Sequence, residues 1–127
     1  MSDGAAELRA LSANLGRIAG SAVEDVDAVI QRAALNVKRE MQADASRSAS
    51  FKGMAGSISY DSHYRAGRVR YVVGPDKGRR GGALGNIAYF GTSRGGGSLD
   101  INRPLRTEEP RMLSALEALS RRWAGQL

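Results

Sequence analysis

Residues 58–75 read ISYDSHYRAGRVRYVVGP, and the reading of this stretch decides the fold. Ile58, Tyr60 and Tyr64 alternate with Ser59, Asp61 and His63. After Ala66 and Gly67, Val69, Tyr71 and Val73 alternate with Arg68, Arg70 and Val72. A two-residue period marks a strand with one face buried, so the stretch predicts a β-hairpin that turns at Ala66-Gly67. Gly74-Pro75-Asp76 stops the second strand, because proline has no N–H to give to a ladder.

Upstream, SRSASFKGMAGS (46–57) is small and polar and reads as a loop. Before it the period is helical. Leu8, Leu11, Leu15 and Ile18 follow a three–four spacing, which predicts an N-terminal helical segment over residues 1–20. Gly16 and Gly20 predict a break near Gly20. Ser21, with Glu24 three residues later, then reads as the capping box of a second helix running to about Ser46. Its apolar stripe is Val26, Ile30, Ala33, Val37 and Met41.

Downstream, KGRRGGALG (77–85) predicts a basic, flexible loop, and Asn86–Phe90 a short third strand. RGGGS (94–98) opens a second flexible loop; the two Gly/Arg-rich segments span 76–86 and 93–102. Thr107 reads as the cap of a final helix, with Glu108 and Glu109 at its positive end, Pro110 in its first turn, and Met112, Leu116, Leu119 and Trp123 on its apolar face. The order α-α-β-β-β-α predicts an α+β fold. A helix pair precedes a small, mostly antiparallel sheet, and a C-terminal helix packs on that sheet.

A chain of 127 residues fits a single domain, 1–127, with a real core. Hydrophobic content of 42% argues against wholesale disorder, and with only 6% aromatics the core must be aliphatic. Lys+Arg exceed Asp+Glu by 19 to 13, a net charge of +6 that favours an acidic partner, either nucleic acid or a protein surface. Arginine dominates among the cations, and its planar fork binds carboxylates and phosphates bidentately. Without cysteine there is no disulfide, thiolate nucleophile or Cys-based zinc site. The first residues lack the apolar core of a secretory signal, and no apolar run approaches the ~20 residues of a membrane span. A cytoplasmic protein, or one assembled there into something larger, is expected.

The stretch from Gly82 to Asp100, GALGNIAYFGTSRGGGSLD, invites a phosphate-binding reading that its spacing does not support. It contains neither G-x-x-x-x-G-K-[ST] nor G-x-G-x-x-G, and two RGG triplets are too few for an RNA-binding repeat. His63 is the only histidine, and Ser62 beside it points to the opposite strand face, so the two make no nucleophile–base pair. One histidine without cysteine does not make a metal site. These features argue against an enzyme; no cofactor is expected, and only a carboxylate-based active site stays open. The basic residues Arg65, Arg68, Arg70, Lys77, Arg79 and Arg80 concentrate in the hairpin and the loop after it. They fit a phosphate backbone, an acidic protein groove or a solvated face equally well.

Four short motifs, in order, resemble the bacteriophage tail-component family, the tail completion and head–tail joining proteins of long-tailed phages. They are GMAGSI (53–58), YVVGPD (71–76), YFGTS (89–93) and RPL (103–105), and the resemblance covers residues 5 to 122. Phe51-Lys52, Tyr89 and Leu105 depart from that family's usual Asp-Thr, glutamate and phenylalanine. The resemblance implies a structural virion protein of the neck, assembled in a bacterial cytoplasm. It implies a homo-oligomeric ring, sixfold or alternatively twelvefold, between head-closure and tail-tube or tail-terminator proteins, with contact to DNA in the lumen. On that reading Arg68, Arg70, Arg79, Arg80, Tyr89, Phe90, Gly91, Thr92 and Arg94 are the candidate interface. The alternative reading is a small basic nucleic-acid-binding protein.

Overall fold

The computed structural model describes residues 3–65, 68–92 and 95–127. Helix α1 runs from Asp3 to Arg47, 45 residues, about 68 Å at ~1.5 Å per residue. A 3-10 segment, Lys52–Ser57, leads into strands β1 (Ile58–Arg65) and β2 (Arg68–Pro75). A second 3-10 turn, Gly82–Leu84, runs into the short helix α2 (Gly85–Phe90), and α3 (Arg103–Gly125) follows. The fold is α+β: a long N-terminal helix, one antiparallel hairpin and a C-terminal helix.

The hairpin follows its sequence pattern. Ile58 pairs with Pro75, Tyr60 with Val73, Ser62 with Tyr71 and His63 with Arg70. Along β2, Val69, Tyr71 and Val73 are partly buried against exposed Arg68, Arg70 and Val72. The predicted turn at Ala66-Gly67 lies outside the described residues.

Three expectations are corrected. The helix pair is one continuous helix. Neither Gly16 nor Gly20 meets another group, so each costs only about 1 kcal/mol of helix propensity, too little to break a helix of this length. Ser21 is not a cap; its hydroxyl donates back to the Arg17 carbonyl at 3.2 Å. The predicted third strand is helix α2. Its buried positions are Gly85, Ala88 and Tyr89, an i, i+3, i+4 spacing rather than alternation. The last helix begins at Arg103 rather than at a Thr107 cap. Pro104, buried in the first turn, sets the start, and this leaves Pro110 inside the helix and Glu108 buried beyond the first turn.

The core lies where the C-terminal half of α1 meets the base of the hairpin. Met41, Ala45, Met54, Ile58, Ala88 and Tyr89 are buried there, with Val37, Phe51, Ala55, Val73, Leu84 and Leu99 packed around them. Helix α3 runs antiparallel to α1, its principal partner. Arg103 meets Asp44 and Glu40, Glu108 accepts a 2.9 Å bond from Asn36, and Trp123 donates to Asp25 at 3.2 Å. Leu105 and Met112 of α3 also border an apolar hollow of about 230 Å³ shared with Tyr71 and Val73 of β2.

Candidate functional site

The candidate interface residues do not form one patch. Tyr89 is core, 8% exposed, while its neighbour Phe90 is 64% exposed. Burial pushes the Tyr89 hydroxyl above the ordinary tyrosine range, with the Asp44 carboxylate adding to the effect. That hydroxyl has no hydrogen-bond partner among the described residues. Gly91 closes α2 with φ of 80°, a conformation that L side chains rarely adopt. Thr92 and Gly95 exchange backbone bonds of 2.9 and 3.2 Å. Arg94 lies outside the described residues.

The glycine content of 76–86, and of the described part of 93–102, answers to close packing. Asp76 organises the first segment: its carboxylate accepts from Gly78 N–H at 2.9 Å, its carbonyl accepts from Arg79 N–H at 3.0 Å, and Arg79 pairs with it at 3.6 Å. A Cβ at Gly82 would run into the Asp76 carbonyl. The second segment folds back on α2, where the Ala88 carbonyl accepts from Ser98 and Leu99 N–H at 3.0 and 2.9 Å. Of the arginines placed here by the sequence, Arg80 is exposed without a carboxylate partner among the described residues.

Two surfaces stand out instead. The first is the N-terminal third of α1. Helix α3 covers a stripe of α1 that passes through Asp44, Glu40, Asn36 and Asp25. With helical spacing this stripe continues as Ala22, Ile18, Leu15, Leu11 and Leu8, beyond the end of α3 at Gly125. There it is bare: Leu8 is 67%, Leu11 41% and Leu15 50% exposed. The spacing 8, 11, 15, 18, 22 is the 3-4-3-4 repeat of a coiled-coil seam. Of its flanking positions, Ala5, Ser12, Asn14, Ala19 and Ser21 carry no charge and only Glu7, near the helix start, does, so a second identical helix meets little repulsion there.

The second surface is the outer face of the hairpin. Register places His63 opposite Arg70 and Arg65 opposite Arg68. These four line a hollow of about 170 Å³ at the hairpin's far end. Arg68 and Arg70 were legible from the alternation; His63 and Arg65 join them only through the pairing register.

Among the described residues no cluster of three or more His, Asp or Glu side chains could hold a metal ion, and no helix is long and apolar enough to cross a membrane. Comparison with protein-family models, with curated proteins and with solved structures finds no match.

Proposed function

We propose that this chain is a structural, non-enzymatic virion protein of the phage neck, a subunit of a ring that completes the tail and joins it to the DNA-filled head. The observation that carries the reading is the bare leucine stripe of α1. A helix with a charge-free 3-4 seam projecting from its own core is an assembly element, and its occupant is a second copy of this chain. The same stripe on two copies makes an isologous contact that pairs subunits, and closing a ring takes a second, heterologous contact. The order of the GMAGSI, YVVGPD, YFGTS and RPL motifs supports placing that assembly in the neck. Exposed Phe90, next to the glycine-closed end of α2, is a second apolar contact for a neighbour.

Analytical ultracentrifugation tests self-association directly. The wild-type chain is expected to form oligomers, and Leu11→Asp with Leu15→Asp is expected to leave folded monomers. A wild type that stays monomeric at high concentration removes the arm from the proposal. The neck assignment is tested separately by electron microscopy of lysates from a phage lacking this gene. Filled heads and finished tails lying apart are expected, and intact infectious particles would overturn it.

A further inference from the structure

We propose that the outer face of the hairpin is a binding site for the phosphate backbone of duplex DNA, held by Arg65, Arg68 and Arg70 with His63 beside them. The pairing register puts four nitrogen-rich side chains in a two-by-two array around one hollow. Like charges directly opposite each other on a sheet destabilise it, so this arrangement weakens the bare hairpin and calls for an anion.

Arginines elsewhere make the contrast. Arg47, Arg79, Arg103, Arg106, Arg111, Arg121 and Arg122 each have a carboxylate within ion-pair reach. Arg65, Arg68 and Arg70 have none among the described residues, although each is exposed and free to find one. Arg9, Arg17, Arg32, Arg39 and Arg80 also have no carboxylate within ion-pair reach among the described residues, but they are scattered over α1 and the segment after β2, whereas the hairpin arginines share one face. Asp61, on the same face, pairs across to Val72 and does not line the hollow.

Duplex DNA is favoured over an acidic protein surface on two grounds. No apolar side chain lines the hollow, whereas a protein interface centres on buried apolar anchors. A two-stranded ribbon about 27 Å long also has the cross-section that the major groove admits, and guanidinium forks suit phosphate oxygens. The contacts proposed are to phosphate oxygens, which carry no base identity, so binding is independent of sequence.

The test is a fluorescence-anisotropy titration of the full chain with a mixed-sequence duplex of about 30 base pairs, over a salt series. Three phosphate contacts give a log–log salt slope of about −2.7, or a loss of about 40-fold between ~50 and ~200 mM salt. The triple variant Arg65→Gln, Arg68→Gln, Arg70→Gln should bind at least about tenfold more weakly at low salt, with its slope shallower by about 2.7. It should melt no lower than wild type, since it loses only exposed like charges. A charge-matched control, Arg9→Gln, Arg39→Gln, Lys52→Gln, should keep most of the affinity. Equal losses in the two triples would mean that net charge alone is responsible and would overturn the site. So would absence of binding at low salt, or displacement of the duplex by poly-aspartate as readily as by unlabelled DNA. Failure here leaves the arm-mediated assembly standing, because that is read by sedimentation without DNA.

Discussion

Arg103 and Asp44 form a two-pronged ion pair: the guanidinium Nε and Nη2 donate to separate carboxylate oxygens of Asp44, each at 2.9 Å. Nη2 also reaches Glu40 at 2.9 Å. These bonds, Asp44 first, raise the Arg103 pKa above its already high ordinary value, so the guanidinium stays charged throughout the working pH range. It fixes the first residue of α3 to the last turns of α1.

Arg103→Ala should therefore destabilise the fold by about 1–2 kcal/mol, a figure discounted because the arginine is about one-third exposed. Arg103→Lys should recover only part of this, since an ammonium cannot fork. Urea denaturation of the three proteins measures both effects.

Tyr89→Phe removes a buried hydroxyl that has no partner, so it should leave stability unchanged or raise it by up to about 1 kcal/mol. The pH dependence has a definite sign. The folded-state pKa lies above the ordinary 10.0, so the wild type keeps this contribution below about pH 10 and loses it as pH rises through the folded value. Chemical denaturation at pH 8 and pH 11 should show a smaller alkaline loss for the phenylalanine variant.

Gly91→Ala should cost about 2–3 kcal/mol. Alanine resists a φ of 80°, and its Cβ would collide with the Gly95 and Gly96 backbone. Gly20→Ala, in open helix, should instead raise the melting temperature by a few degrees. Thermal melts of the pair separate glycines required by geometry from glycines merely present.

Deletion of residues 1–18 should abolish self-association yet shift the melting temperature by no more than about 4 °C. The segment removed carries Leu8, Leu11 and Leu15, all exposed, and none of the core. In the shortened chain Ser21 is free to cap the new helix start, with Glu24 completing the box that its sequence encodes. Sedimentation and circular dichroism on one sample check both halves of the expectation.

Local pattern carried much of this fold. The alternation in 58–75 predicted both strands and their faces, because a half-buried strand repeats every two residues. The apolar face of α3 was legible for the corresponding helical reason: Leu119 is buried and Met112, Leu116 and Trp123 are partly so. The continuity of α1 was not, since glycine propensity is a local signal and the helix is held by α3 and the hairpin docked far along it. Asn86–Phe90 misled because five apolar-rich residues fit either period. Their burial at Gly85, Ala88 and Tyr89 depends on what they pack against. The candidate site shows the same division. Arg68 and Arg70 could be placed on one face by counting, whereas His63 and Arg65 required the pairing partner of each residue. Tyr89 read as a surface contact because an aromatic beside glycine looks the same in sequence whether it faces the core or a neighbour.

Trp123 is the chain's only tryptophan, and it donates to Asp25 where α3 ends and the bare stripe of α1 begins. Its indole is thus a built-in optical reporter. A helix seated on Leu15, Ile18 and Ala22 would abut the ring and take water from it, shifting emission to shorter wavelength as concentration rises. Binding of DNA at the hairpin's outer face would leave that spectrum unchanged, so one unlabelled protein reports which of its two surfaces is occupied.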